Sequence, residues 1–215
     1  MVVLHYTAMD TAEAALERLC DPSIEVSAHY LISETGQIWQ MVDEEKRAWH
    51  AGAGQWGAVT DVNSRSIGIE LANIGDCPFP EPQMAALEFL LAGIQNRWDI
   101  PPERVIGHSD MAPERKQDPG PRFDWQRLAR QGLAVWPNVS RADFIGQEGW
   151  DAAKIIEIGQ SLRTFGYVMP DNEMAPLHVY HAFCARFHCG GPESRGYAIA
   201  AAQDLAARFP VQRDG

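Results

Sequence analysis

The order of apolar and polar positions divides the chain into two parts of different period. Val2-Val3-Leu4 is a continuous apolar run that meets a polar residue at His5, the pattern of a short buried strand. Ala12, Ala15, Leu16 and Leu19 then recur at helical spacing, so a helix is expected over Thr11–Cys20, capped by Asp10 or Thr11. His29-Tyr30-Leu31-Ile32 and Ile38-Trp39-Gln40-Met41-Val42 flank Glu34-Thr35-Gly36, which reads as a hairpin. Ser66–Leu71 forms another strand, and Val105-Ile106-Gly107 a short one that runs into His108. Between them, Gln83–Trp98 reads as an amphipathic helix buried through Leu87, Leu90, Leu91 and Ile94 and started by Pro80 and Pro82. Strands and helices interleave, which predicts an α/β fold with a mixed central β-sheet flanked by helices.

The pattern changes after Trp136-Pro137. Asp151–Phe165, Pro176–Phe187 and Arg195–Phe209 are three helix-length stretches, separated by Gly166-Tyr167 and Gly190-Gly191-Pro192. They predict a small all-α three-helix module with a core of Ile155, Ile158, Leu162, Phe183, Phe187, Ala201 and Leu205. The expected division is a first domain over residues 1–137, a linker over 138–150 and the helical module over 151–215.

Composition narrows the partners. A chain of 215 residues with 46% hydrophobic and 22% charged positions is that of a globular protein, and no apolar run reaches the length of a membrane span. The net charge of -11 argues against nucleic acid, which needs a basic face. A monomer is expected. The four cysteines Cys20, Cys77, Cys184 and Cys189 form no CxxC pair, and His181 and His188 beside the last two read as half-buried helix residues. The first residues lack a charged segment, an apolar core and a cleavage site, so a cytoplasmic location is expected for the chain as written. A leader upstream of a core strand would move it to the periplasm or the outer membrane.

Candidate chemistry gathers at strand ends. His5 ends one strand, His108 ends another, and Asp118 lies in a loop stiffened by Pro119, Gly120 and Pro121. Two imidazoles and a carboxylate are a common catalytic zinc set that leaves a fourth position for water and acidifies it. Spacing alone leaves a second reading open, in which strand-end polar residues are satisfied by hydrogen bonds. Glu70 alternates with Ile67 and Ile69, which turns it to the opposite face, toward a cleft.

The strings around these residues add to that reading. His5-Tyr6-Thr7, Ser27-Ala28-His29-Tyr30, Trp49-His50-Ala51-Gly52, Ser66-Ile67-Gly68-Ile69-Glu70 and Gly107-His108-Ser109-Asp110 occur in order, followed by Ala112–Pro121. Over residues 1–137 the chain closely resembles the type-2 N-acetylmuramoyl-L-alanine amidases, a zinc family related to phage lysozyme-amidases and animal peptidoglycan recognition proteins. The resemblance implies that fold and one Zn2+ per chain on His5, His108 and Asp118. Some relatives have Cys at the third ligand, and Asp118 matches the bacterial recycling and outer-membrane branches. It implies Glu70 as the group that moves the proton from water to the leaving nitrogen, and Lys116 as the cation beside the developing oxyanion. The implied substrate is peptidoglycan or a muropeptide, cut between the lactyl group of N-acetylmuramic acid and L-alanine. Trp49, His50, Asn73 and Arg115 are the expected substrate contacts, an Arg being suited to stem-peptide carboxylates. His29 is expected to be hydrogen-bonded rather than a ligand. The C-terminal helices resemble a peptidoglycan-binding module. Because His5 stands only four residues from the start of the chain, its strand has almost nothing upstream to hold it, so the metal is expected to order that end and chelation to lower thermal stability.

Overall fold

The computed structural model describes residues 1–144, 152–169, 173–189 and 194–211. Part of the expected linker (residues 145–150) and the Gly190-Gly191-Pro192 separator lie outside them. Five strands, β1 (Val2–Tyr6), β2 (Tyr30–Ile32), β3 (Ile38–Gln40), β4 (Ile67–Leu71) and β5 (Val105–Gly107), form one sheet in the order β3-β2-β4-β1-β5. β2, β4, β1 and β5 run parallel, and the β2–β3 hairpin adds an antiparallel edge, so the sheet is mixed, as the α/β pattern predicts.

Alternation along the strands sorts their side chains onto two faces. Val2, Leu4, Ile67, Ile69 and Leu71 point to one face, where α2 (Glu81–Trp98) buries Met84, Leu87, Leu90, Leu91 and Ile94. Each such side chain contributes roughly 1.5–3 kcal/mol when fully buried. α2 starts two residues earlier than its apolar spacing indicates. Pro80 stands at the N-cap and Pro82 in the first turn, where a missing N–H costs nothing. α1 (Ala12–Cys20) is capped by Thr11, whose side chain accepts the Ala14 N–H.

Val3 and Ile106 point to the opposite face, into a second apolar cluster. That cluster is continuous from the sheet through Trp56, Met111 and Val135 to Phe165, Phe183, Phe187, Ala201 and Leu205. The last five belong to α5 (Ala152–Phe165), α6 (Ala175–Phe187) and α7 (Ser194–Arg208). The three C-terminal helices therefore share a core with the sheet rather than closing only on one another. α3 (His108–Met111) and α4 (Trp125–Arg130) lie between, and α3 touches both β5 and α6.

Candidate active site and metal centre

The register of the parallel strands builds the site. His5 lies opposite Glu70 across the β1–β4 ladder, and Leu4 lies opposite Gly107 across β1–β5. The chain leaves β5 at Gly107 and turns at once into α3, so His108 emerges beside His5 at the carboxyl edge of the sheet. Ligand sites of open parallel sheets collect at that edge. The loop after α3 brings in Asp118, tied by its carbonyl to the Ser109 N–H at 2.9 Å.

His5 Nδ1, His108 Nδ1 and Asp118 Oδ2 lie 2.9–3.0 Å from one another, and all three residues are buried. The outer nitrogens decide what this triangle is. His108 Nε2 donates to the Ala51 carbonyl at 2.8 Å, which leaves the Nδ1 of the neutral ring bare. His5 Nε2 lies 3.0 Å from His50 Nδ1, and His50 Nε2 lies 3.2 Å from Ser66 Oγ, which donates to the Val62 carbonyl. With a proton on each Nε2, this chain runs consistently from His5 outward and leaves His5 Nδ1 bare as well. Two bare nitrogens and a carboxylate oxygen then converge, and a proton between any two leaves the third unserved. A single cation would serve all three, and outward-facing Nε2–H groups are the usual support for metal-binding imidazoles. Among the described residues this is the metal-donor cluster of three or more His, Cys, Asp or Glu.

The electrostatics agree with that geometry. Burial, with the neighbouring His108, pushes His5 down from the ordinary 6.5 to about 4, although Asp118 opposes the shift. Burial would raise Asp118, yet the hydrogen bonds and charge of His108 and His5 hold it well below the usual carboxylate range. Burial, and then the charge of Asp118, raises Glu70 to about 8, with Lys116 opposing. The Glu70 side chain faces the cleft, and its Oε2 is sealed from solvent without a hydrogen-bond partner in the protein.

The cleft has a volume of about 470 Å3 and is lined by His5, Glu70, His108, Lys116 and Asp118, with Trp49 and Arg115 on its rim. Trp49 is 55% exposed and carries the Arg47 guanidinium 4.2 Å from its ring centroid. The other expected contacts differ. His50 borders the cleft but engages both ring nitrogens within the protein. Arg115 donates to the Ala51 and Ala53 carbonyls, so it also holds the carbonyl that His108 uses. Asn73 is not among the described residues of the cleft. Its side chain accepts the Gly75 N–H at 2.7 Å and shapes the turn after β4. His29 is fully buried, donating to the Lys46 carbonyl and accepting the Gly68 N–H. Sequence reasoning missed Arg18, which reaches the cleft from α1 and, among the described residues, makes no side-chain hydrogen bond. Its place four residues from Ala14 on an amphipathic helix carried no signal.

Gly68 shows how closely the support of His5 is packed. A Cβ there would lie 2.3 Å from His50 Cγ, so any side chain must displace the ring. Gly68→Ala is expected to remove the His50 support of His5 and to weaken metal binding by about tenfold or more, measured by competition with a chromophoric chelator. Unaltered affinity in a folded Gly68→Ala protein would count against the role given to His50.

A mixed sheet whose parallel strands carry a buried His-His-Asp cluster at their carboxyl edge, facing a cleft with an unpartnered carboxylate, has the donor set and cleft expected of a metal-dependent hydrolase. The family model described as N-acetylmuramoyl-L-alanine amidase matches residues 1–121, and the chain belongs to that family. Its relatives include N-acetylmuramoyl-L-alanine amidase AmiD of Escherichia coli (strain K12), 40% identical over 193 residues, or 80% of this chain and 68% of AmiD. The 1,6-anhydro-N-acetylmuramyl-L-alanine amidase AmpD of Enterobacter cloacae is 41% identical over 103 residues, 48% of this chain and 55% of AmpD. The structure of E. coli AmiD with the substrate anhydro-N-acetylmuramic acid-L-Ala-D-gamma-Glu-L-Lys superposes with a TM-score of 0.84 at 36% identity, covering 97% of this chain and 89% of that one.

Proposed function

We propose that the chain is a zinc-dependent amidase that cuts the bond between the lactyl group of N-acetylmuramic acid and L-alanine in soluble muropeptides, anhydro forms included. The observation that carries this reading is the convergence of His5 Nδ1, His108 Nδ1 and Asp118 Oδ2 beside the unpartnered Glu70 oxygen. The donor set fits one zinc ion, which when bound supplies a Lewis acid and acidifies a water molecule. The remaining work falls to the chain. Glu70 takes the proton of the attacking water at its Oε2 and returns it to the leaving alanine nitrogen. A cation held by His5, His108 and Asp118 would lower the Glu70 pKa from its metal-free value of about 8, toward the range in which a carboxylate can both accept and release a proton. Lys116, close enough to affect both Glu70 and His5, offers fixed positive charge to the carbonyl oxygen as it gains negative charge. Trp49 offers an exposed aromatic face to the sugar, and Arg18 a guanidinium to a stem-peptide carboxylate. Among the described residues no helix is long and apolar enough to cross a membrane.

The C-terminal helices border a second cavity, of about 390 Å3, between Arg115-Lys116-Gln117 and the α6 residues His178 and His181. In this reading the cavity, which shares Arg115, Lys116 and Gln117 with the cleft, extends it for a larger muropeptide.

The test is mass spectrometry of a defined anhydro-muropeptide after incubation with zinc-loaded protein. The expected products are the free sugar and a peptide that begins with L-alanine, absent with His5→Ala. Release of a terminal amino acid from the stem peptide instead would replace the amidase reading with a carboxypeptidase one.

A further inference from the structure

His108 is delivered by elements too short to hold it. β5 has three residues and α3 a single turn, and a one-turn helix has almost no stability of its own. Their position is fixed from outside, through Asp110. This carboxylate is 1% exposed and lies two residues beyond His108. Its Oδ2 accepts the Gly107 N–H at 2.7 Å and the Arg186 Nη1–H at 2.7 Å, and its Oδ1 accepts the Tyr167 hydroxyl. Arg186, from α6, is itself 2% exposed, and its Nη2 donates to the Val105 carbonyl at 3.0 Å. One guanidinium thus grips the start of β5 through Val105 and its end through Asp110 and Gly107. The Trp125 ring, centred 4.4 Å away, covers it.

Neither Arg186 nor Tyr167 lies in the first 121 residues that the family model matches. We infer that the C-terminal helices set the geometry of the metal centre, with Arg186 and Tyr167 acting as positioning residues for His108 through Asp110. The inference rests on the reading of His5, His108 and Asp118 as a metal site. Its physical basis is that a buried carboxylate must keep its partners. Without Arg186 the Asp110 charge is left largely uncompensated, and it recovers solvation only by rotating α3 outward. That rotation carries the His108 ring away from His5 and Asp118.

The experiment uses the full chain with three substitutions: Arg186→Met, Tyr167→Phe and, as a control, Leu205→Ala. Leu205 is fully buried in the same helical layer, on α7. Zinc affinity is measured by chelator competition, and ligand geometry by the visible spectrum of the cobalt(II)-loaded protein. Arg186→Met is expected to weaken zinc binding by about tenfold or more and to alter the cobalt bands. Tyr167→Phe, which removes only a hydroxyl, should act in the same direction to a smaller extent. Leu205→Ala should lower the melting temperature while leaving zinc affinity and the cobalt spectrum as in the wild type. If Arg186→Met fails to fold, Tyr167→Phe decides. Wild-type affinity in the folded variants, or an equal loss in Leu205→Ala, overturns the positioning role while leaving the metal site intact. Failure of the wild-type chain to bind either metal overturns the metal reading and this inference with it.

Discussion

Glu70→Gln is expected to lower kcat by about a thousandfold, because the amide of glutamine can neither take the proton of water nor deliver it to nitrogen. KM and zinc content should stay near wild type, since the glutamine side chain has the same shape and Glu70 is outside the proposed ligand set. A second consequence separates this group from an ordinary structural carboxylate. In the folded metal-free protein Glu70 titrates at about 8, against 4.5 for a free glutamate side chain. Between those values the unfolded chain is ionised while the folded one stays protonated, so folding is progressively penalised as pH rises through that window, and the penalty is constant above it. Glutamine carries no such penalty. The metal-free variant should therefore match the wild type near pH 4 and melt several degrees higher above pH 8. Melting curves of chelated protein across this range test the point, and a variant no more stable at pH 9 than the wild type would contradict the buried, unpartnered state of Glu70.

Much of the frame was legible because it is encoded locally. The hairpin around Glu34-Thr35-Gly36, the alternation in Ser66–Leu71 and the spacing of Leu87, Leu90, Leu91 and Ile94 each express one face of one element. The two faces of β4 followed in the same way, with Ile67 and Ile69 under α2 and Glu70 in the cleft. What local pattern cannot carry is register between distant segments. His5 beside Glu70 depends on β1 pairing with β4, and His5 beside His108 on the chain turning immediately after Gly107. The ordered strings suggested these meetings only by resemblance. Roles set by hydrogen-bond partners were less legible still. His50 and Arg115 both line the cleft, but their hydrogen bonds, one beside His5 and the other on the loop at Ala51–Ala53, depend on partners that no local pattern shows. Asn73 builds a turn. Arg186 and Tyr167 lay in stretches that read only as helix and turn, and their meeting with Asp110 depends on the helical layer packing against the sheet. The shared apolar core of that layer was hidden for the same reason, since Val3 and Ile106 do not announce which helices cover them.

Removing zinc is expected to abolish turnover and to lower the melting temperature, but for a different reason from the one the sequence suggests. A strand with little chain before it looks as though it needs the metal to order its end. In the fold, β1 is hydrogen-bonded on both sides, to β4 and to β5, and Val2, Val3 and Leu4 are fully buried. The weak part is elsewhere. The other two ligands sit on α3 and on the loop that follows, held by a few hydrogen bonds, among them Ser109 N–H to the Asp118 carbonyl. Without a cation, three electron-rich atoms remain within 3.0 Å of one another, and the two short segments can relieve this by moving apart. Zinc at a thousandfold excess over its dissociation constant would stabilise the fold by about 4 kcal/mol, equivalent to roughly 10 °C in a chain of this size. Hydrogen exchange locates the effect: amides of residues 107–118 should lose protection on chelation, while those of β1 and β4 retain it. Because His5 is held down to about 4, protons compete for its Nδ1 only as pH falls toward that value. Asp118→Ala should melt at one temperature with or without chelator. An unchanged melting temperature of the wild-type protein after complete removal of zinc would mean that the three ligands are held by the fold alone.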